Sequence, residues 1–198
     1  MLNDIITVMR KEYFEIINMR ESRSSYLIAL LVPILILGIQ FPVQIGVKWV
    51  TGINSIVVWF FVPFFFISNV IADSFAGERE RHTLETLLSS RLSEKSILLG
   101  KIFSATCYSI FFTIVVAAIS LISVNIAFRG NGILIFSPKV FLFGFALTIL
   151  TATIESSIGI LVSLKAATVR QAQQTLGIGI MVVFFLPMIV TFALPKEL

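Results

Sequence analysis

The charged residues most able to do chemistry lie in one polar segment of an otherwise apolar chain. This polar segment runs from residue 76 to residue 95, and with Lys101 just beyond it the stretch holds five of the fifteen Lys and Arg residues. Acidic and basic side chains alternate from Glu78 to Arg81, a pattern that makes a docking surface specific for its partner. The segment therefore predicts a surface that binds a partner, with an ordinary solvated loop as the alternative.

Leucines recur at helical spacing through the polar segment, at positions 84, 87, 88 and 92. Opposite charges also stand four residues apart at two places, Glu78 with His82 and Arg81 with Glu85, which is the spacing of ion pairs on a helix surface. The pattern predicts a short amphipathic helix held between two membrane spans.

The elements that hold this segment are membrane-spanning, as the composition indicates. The 198 residues are 57% hydrophobic and only 13% charged, too apolar for a soluble domain of this length. A net charge of +4 does not indicate nucleic acid binding, because the basic residues concentrate between the apolar segments and beside the first of them. The chain is predicted to be a polytopic, all-α transmembrane helical bundle in contact with the lipid bilayer.

Apolar runs divide the chain, a single transmembrane domain, into an N-terminal interfacial helix and five spans. The interfacial helix is expected at 1–24, and the polar segment at 76–95 separates the second span from the third. The five predicted spans are 26–44, 53–72, 97–128, 140–164 and 172–194. The first should kink at Pro33, and the third is longer than a bilayer core requires, so its first turns should project from the membrane.

The N-terminal helix carries an apolar stripe, formed by Leu2, Ile5, Ile6, Met9, Tyr13, Ile16 and Ile17. Charged residues, among them Glu12 and Glu15, occupy the positions between. Such a helix can lie in the headgroup plane with its apolar face among the acyl chains. The alternative is that the same stripe packs on protein.

The distribution of basic residues predicts the orientation of the chain. With the N-terminus in the cytoplasm, eleven of the fifteen Lys and Arg residues fall in cytoplasmic segments and four in external ones. This bias agrees with the positive-inside rule. The polar segment and the turn near Lys165 and Arg170 are then cytoplasmic.

Glu155 is the one carboxylate well inside a predicted span, which makes it a candidate functional residue. It shares a helix face with small residues that permit close helix packing, namely Gly159, Ser163 and Ala167. Two interpretations stay open: a structural carboxyl group, protonated or hydrogen-bonded to Ser156 or Ser157, and a residue of a transport path.

Sequence motifs of catalysis and cofactor binding are missing from the chain. There is no G-x-x-x-x-G-K-[ST] phosphate loop, no H-E-x-x-H zinc motif and no G-x-S-x-G nucleophile motif. The single Cys107 lies in an apolar span and forms no cysteine-based metal cluster. The chain is predicted to be no enzyme, with no catalytic, metal or cofactor site of its own.

Two passages resemble the permeases of type-2 ATP-binding-cassette exporters. The first resembles their coupling-helix signature and reads GERERHTLETLLSSRLS, followed by LLGK. The second, at the fourth and fifth spans, reads IESSIGILVSLKAATVRQAQQTLGIGIMVVFFLP. Two residues depart from the family pattern, His82 in place of Gly and Arg91 in place of Pro, and both stand at turn positions.

The resemblance implies that the polar segment lies against a separate nucleotide-binding ATPase subunit, which binds ATP and Mg²⁺. It also implies a dimer of permeases, homomeric or heteromeric, in the cell membrane. The family has six spans, whereas five are predicted here. The resemblance assigns the contact with the ATPase to Glu78, Arg79, Glu80, Arg81, Thr83, Leu84, Glu85, Leu87 and Leu88.

Two other functions fit parts of the sequence. One is an ion-coupled secondary carrier that uses Glu155 as its proton or cation site, with the polar segment only a loop. The other is a membrane anchor that recruits a cytoplasmic partner and transports nothing.

Overall fold

Helices make up the regular structure of the chain, as predicted. The structure, a computed structural model, describes residues 1–18 and 23–193, and those residues contain no strand. Residues 19–22 of the predicted interfacial helix and residue 194 of the predicted fifth span lie outside the described residues. The α-helices are α1 (Leu2–Asn18), α2 (Arg23–Leu35), α3 (Phe41–Ile45), α4 (Lys48–Thr51), α5 (Ile56–Glu80), α6 (Leu84–Leu88), α7 (Glu94–Ala127), α8 (Pro138–Lys165) and α9 (Val169–Ala193).

Three helices of the described part of the chain, α5, α7 and α8, are long and apolar enough to cross a membrane. α5 and α8 pack closely because glycines of α8 face side chains of α5. A Cβ atom at Gly144 would lie 2.5 Å from the Trp59 ring, and one at Gly159 would lie 2.4 Å from the Ile71 side chain. Small residues on α8 thus set the distance between these two helices.

The region of the predicted first span is helical but irregular. α2 continues past Pro33, and a π-helical turn at Ile36–Gln40 then joins it to α3. Gly38 lies in this turn, where a Cβ atom would be 3.1 Å from the Ile119 side chain of α7. The irregular turn therefore follows the proline by about one helical turn and lies at a close contact with α7.

α5 extends beyond the predicted second span, whose end was expected at Ala72. The helix continues to Glu80 because its last turns pack on protein: Ala72, Phe75 and Ala76 are all buried. Polar residues such as Asp73 and Glu78 were the reason to expect the span to end here and a separate short helix to follow. The first five residues of the polar segment are thus the end of a long helix.

α1 packs against α7, and this contact divides its apolar stripe. A Cβ atom at Gly100 of α7 would lie 2.7 Å from Val8, so the two helices nearly touch there. The buried face of α1 consists of Ile5, Val8, Glu12 and Ile16, whereas Leu2, Ile6, Tyr13 and Phe14 are exposed. Glu12, which was expected among the polar positions, therefore lies on the buried face, and part of the apolar stripe packs on protein. Placement of the exposed part in the headgroup plane stays a prediction.

The opposite end of the bundle is a short connection between α7 and α8. Residues 132–137 have no regular secondary structure, and the Asn125 side chain holds them by donating to the Leu134 carbonyl and accepting from its N–H, both at 2.8 Å. Ile133, beside this clamp, is 88% exposed.

Candidate functional site

The polar segment folds into the end of α5, a tight turn, the short helix α6 and the start of α7. α5 ends in a Schellman motif: the Thr83 N–H donates to the Glu78 carbonyl at 2.9 Å, and the His82 N–H donates to the Arg79 carbonyl at 3.1 Å. His82 adopts the left-handed conformation that this motif needs, with φ of 56°. Glycine is the usual residue at this position because it has no Cβ.

α6 has one inward and one outward side. Leu84 and Leu87 pack against the hydrophobic core, as the leucine spacing predicted, but Leu88 of the same predicted face does not. Thr83, Glu85 and Leu88 are exposed, and Leu88 has 52% of its surface accessible. The predicted amphipathic helix is therefore present but shorter, with five residues.

Glu78 faces the interior rather than solvent. It is 1% exposed, and its Oε1 accepts from Lys101 Nζ of α7 at 3.1 Å and also from Lys11 of α1. The predicted pair with His82 is replaced by these contacts because the helix ends between the two residues. Glu78 thus cannot touch a partner docked on the surface.

Lys101 is the centre of this buried ion cluster, which consists of Lys11, Glu12, Glu78 and Lys101. Its Nζ donates to Glu12 Oε1 at 2.6 Å and to the Ser74 carbonyl at 3.0 Å, in addition to Glu78. The ammonium group is thereby paired on three sides while only 2% of the residue is exposed. The cluster connects α1, α5 and α7 at one point.

The charges of the cluster influence one another's titration. Burial raises the pKa of Glu12, and the Lys101 ammonium only partly opposes this effect. Burial by itself lowers the pKa of Lys11, but its hydrogen bond to Glu78 and the neighbouring carboxylates outweigh burial and leave that pKa raised.

Three carboxylates of this region, Glu12, Glu15 and Glu78, have oxygens within 4.8 Å of one another, a spacing suited to a metal ion. Lysine side chains already supply the positive charge that a metal ion would bring to these carboxylates. Lys11 Nζ contacts Glu78 and lies 3.1 Å from Glu15, and Lys101 Nζ contacts Glu12 and Glu78. The arrangement is an ion-pair cluster that joins helices.

The next two residues of the motif contact the turn between α8 and α9, formed by residues 166–168 and called the second turn below. Arg79 Nη2 donates to the Leu164 carbonyl at 2.7 Å, and Nη1 donates to the Ala166 carbonyl. Glu80 Oε1 accepts from the N–H of Val169, the first residue of α9, at 2.8 Å. The Arg79 guanidinium thus binds carbonyls at the end of α8, and the Glu80 carboxylate binds the first N–H of α9. The electrostatics of helix ends favour both contacts.

Arg81 completes the motif by pairing within its own region. Its guanidinium forms two-pronged hydrogen bonds to Asp73, with Nη1 3.0 Å from Oδ1 and Nη2 3.2 Å from Oδ2. Asp73 therefore takes the place of the predicted partner Glu85. Four consecutive residues thus contact different parts of the bundle.

The structure gives the nine predicted contact residues different surroundings. Their role in binding an ATPase stays a prediction, and the buried Glu78 is unsuited to it. Leu84 and Leu87 face the core, and Arg79 is half-buried against the second turn. The predicted residues that are exposed are Glu80, Arg81, Thr83, Glu85 and Leu88.

Sequence reasoning missed the partners of the buried cluster, Glu12 and Lys101. Glu12 follows Ile5 and Val8 on one helix face, a spacing that marks it as part of the buried stripe. Lys101 lies inside an apolar run immediately after Gly100. A carboxylate in a buried stripe and a lysine inside an apolar helix are each a signal of a buried ion pair.

Glu155 lies on α8, 9% exposed, and its buried Oε2 has no hydrogen-bond partner among the described residues. The predicted partners bond elsewhere: Ser156 Oγ lies 3.0 Å from Thr106 Oγ1, and Ser157 Oγ donates to the Thr153 carbonyl. Of the face predicted to permit close packing, Gly159 and Ser163 do contact α5.

Comparison with known proteins gives one match. A family model described as ABC-2 type transporter matches residues 4–192, which is almost the whole chain. No curated protein matches the chain significantly. No solved structure does so either.

Proposed function

The chain belongs to the ABC-2 type transporter family as a membrane permease component, and from this premise we propose that it exports a substrate with energy from a separate ATPase. The ATPase subunit binds ATP and Mg²⁺ and docks on α6. The working unit contains two permease chains, identical or related, in the cell membrane. The N-terminus, the polar segment and the second turn face the cytoplasm.

The observation that carries this proposal is the fold of the polar segment. α6 exposes Glu85 and Leu88 on one side, next to the exposed Thr83 that precedes the helix, and Leu84 and Leu87 pack into the core on the other. Protein interfaces have an apolar centre and a polar rim, and Leu88 with its polar neighbours could supply part of such a surface. The immediate anchoring of α6 in the bundle suits a contact that transmits force.

The mechanism follows from the connections of α6. Closure of the ATPase subunits on ATP pushes α6, which is continuous through short turns with α5 and α7. The buried ion cluster passes the displacement of α5 and α7 to α1. Helices that are rigid and packed move as units, so the displacement tilts the spans and opens a path along the interface between the two permeases.

Docking on α6 is tested by purifying the tagged chain in mild detergent and identifying a co-purifying polypeptide with a P-loop by mass spectrometry. Leu88→Glu, alone and with Glu85→Lys, changes exposed groups of α6. We expect the recovered ATPase to fall about tenfold or more, as it does when a central interface anchor is lost.

The matched control is Ile133→Glu, the same kind of change at an exposed residue of the opposite end of the bundle. It should leave recovery of the ATPase unchanged. Equal recovery with the parent chain, Leu88→Glu and Ile133→Glu would show that the ATPase does not dock on α6.

The unpartnered carboxyl oxygen of Glu155 favours one second candidate, a carrier driven by a proton or sodium gradient. The discriminating assay uses vesicles that contain the purified chain, a pH-sensitive dye and no ATP. A carrier moves protons or exchanges them for sodium, and Glu155→Gln abolishes the signal. The exporter proposed here gives no gradient-driven signal that depends on Glu155.

A further inference from the structure

We infer that Arg79 and Glu80 are positioning residues that lock the second turn to the polar segment, so that both turns of this end of the bundle move as one body. The functional meaning of this lock rests on the proposed function: a partner that pushes α6 would displace α8 and α9 together with α5. The lock itself is a property of the chain alone.

The first support is the chemistry of the two contacts. Arg79 donates to the carbonyls of Leu164 and Ala166, which end α8 without partners further along that helix. Glu80 accepts from the first N–H of α9, at Val169. Hydrogen bonds that involve a charged group are stronger than neutral ones, and both also complement the helix dipoles.

The second support is the hydrogen bonding within the second turn, which Arg79 and Glu80 contact. Thr168 Oγ1 accepts from the Gln171 N–H at 3.1 Å, and Gln171 Oε1 accepts from the Ala167 N–H at 2.9 Å. This arrangement resembles a capping box, which fixes the start of α9 locally. The Val169 N–H is left for a partner outside the turn, and Glu80 is that partner.

The third support is the packing directly inside the lock. A cluster of buried alanines, Ala72, Ala76, Ala166 and Ala172, fills the space among α5, the second turn and α9. Ser163 Oγ of α8 accepts from the N–H groups of Phe75 and Ala76 and donates to the Ala72 carbonyl, at 3.0 to 3.1 Å. Small side chains and cross-helix hydrogen bonds leave little room for α5 and the second turn to slide.

The inference changes how mutations in the motif are interpreted. Glu80 is exposed, so a charge reversal there would remove a possible contact with a partner and also release α9. Arg81 reversal would likewise break the pair with Asp73. Loss of coupling in either variant therefore does not identify a docking residue, whereas loss in a Leu88 variant does.

The lock is tested by hydrogen exchange on the chain alone in detergent, without any ATPase. Glu80→Ala should speed exchange in the peptide that contains Val169 about tenfold, because the amide loses a hydrogen bond to a charged acceptor. Glu80→Gln retains an acceptor oxygen and should restore most of the protection. Glu85→Ala, which removes an exposed carboxylate of α6, is the control and should leave this peptide unchanged.

A second measurement reads the distance between the two turns. Spin labels are attached at Leu88 and Ala167, both exposed, in a Cys107→Ser background. The distance distribution should be narrow in the parent, broadened in Glu80→Ala and narrow again in Glu80→Gln. Arg79→Lys, which keeps the charge but loses the fork that reaches two carbonyls, should broaden it as well.

A parent distribution as broad as that of Glu80→Ala, or Val169 exchange that is equal in both, would overturn the inference. Both measurements use the isolated chain, so their outcome is separate from that of ATPase docking. A narrow distribution in a chain that recruits no ATPase would leave the lock intact and refute only the proposed function.

Discussion

At the scale of single residues, the buried ion cluster decides how the N-terminal helix attaches. The Lys101 ammonium lies among Glu12, Glu78 and the Ser74 carbonyl, and it also lies 4.8 Å from the centre of the Phe75 ring. Burial of one charge alone is costly, so each member depends on the others. α1 contributes Lys11 and Glu12 to this cluster, and of these two residues Glu12 is almost fully buried.

Replacing Lys101 should therefore destabilise the chain strongly. Lys101→Met keeps the length of the side chain but leaves two buried carboxylates without their shared cation, a change that costs about 3–5 kcal/mol. We expect a large fall in the thermal midpoint in detergent. Lys95→Met removes an exposed lysine of the same helix and should have little effect. Equal midpoints for both variants would contradict the structural role of the cluster.

Glu12 should make the stability depend on pH in a defined direction. Its pKa in the folded chain is raised above 4.5 because burial disfavours the carboxylate. The folded state then binds the proton more tightly than the unfolded state, so this contribution is fully present below about pH 4.5 and is lost as the pH rises through the folded pKa. Relative to Glu12→Gln, the thermal midpoint of the parent should fall as the pH is raised from 4.5.

Glu85→Gln is the matched control for this titration, since it neutralises an exposed carboxylate. The thermal midpoint of Glu85→Gln should change with pH in the same way as that of the parent, from pH 4.5 upward. A parent curve parallel to that of Glu12→Gln would mean that Glu12 contributes nothing to the pH dependence.

The sequence identified the residues of the motif but not the directions in which they point. Alternating charges from Glu78 to Arg81 predict a polar surface, yet each of these side chains meets a partner from elsewhere in the bundle or helix. Partner choice depends on which helices come together, as with Glu12 and Lys101, which are 89 positions apart. Local spacing carries no information about such distant contacts.

At the scale of elements, the close approach of α5 and α8 depends on glycine. Gly144 lies against the buried ring of Trp59, and the Thr148 hydroxyl one turn further along donates to the Trp59 carbonyl at 2.8 Å. This part of α8 therefore has both a steric and a polar reason for its position. It is the side of α8 on which Gly159 and Ser163 also contact α5.

Gly144→Ala should push the two helices apart. The new Cβ would meet three ring atoms of Trp59 at 2.5 to 2.8 Å, and overpacking of this kind costs about 1–3 kcal/mol. Gly177→Ala is the matched control, because in the described part of the chain no atom outside the backbone of its own helix lies within 4 Å of its Cβ position. The thermal midpoint should fall in the first variant and hold or rise in the second, because alanine favours a helix more than glycine does. An equal change in both would contradict the packing explanation.

The turn after α5 gives another prediction at this scale. His82 stands in the left-handed region, which costs a residue with a Cβ about 1–2 kcal/mol. His82→Gly should be tolerated and His82→Val should lower the thermal midpoint, since β-branched residues are poorly accommodated there. A well-tolerated valine would show that the end of α5 does not require this conformation.

Helices could be predicted from the sequence where the apolar pattern is long. Their ends could not be predicted where polar residues are buried. The ends of α7 and α8 lie within about three residues of the ends of the predicted third and fourth spans. α5 passes its expected end because Asp73 and Glu78 find partners that a sequence does not reveal. The position of His82 was recognisable as a turn, because the family pattern has glycine there.

At the scale of the whole molecule, the structure is a bundle of helices, as the composition predicts, and the match of the family model assigns the chain to the ABC-2 type transporter family. Composition alone predicts the class, and the family follows from the order of residues in the polar segment. We propose in addition that the ATPase is a separate polypeptide and that it docks on α6. The lock at Arg79 and Glu80 would extend a push on α6 to the last helices of the chain.

The most direct test of this account is ATP hydrolysis in the complex that co-purifies with the tagged chain from mild detergent. The account predicts vanadate-sensitive hydrolysis with the parent chain and with Ile133→Glu, and its loss with Leu88→Glu. Absence of any ATPase from the parent preparation, under conditions in which the helical bundle stays folded, would contradict the account. Glu155 and a gradient-driven mechanism would then be the next to examine.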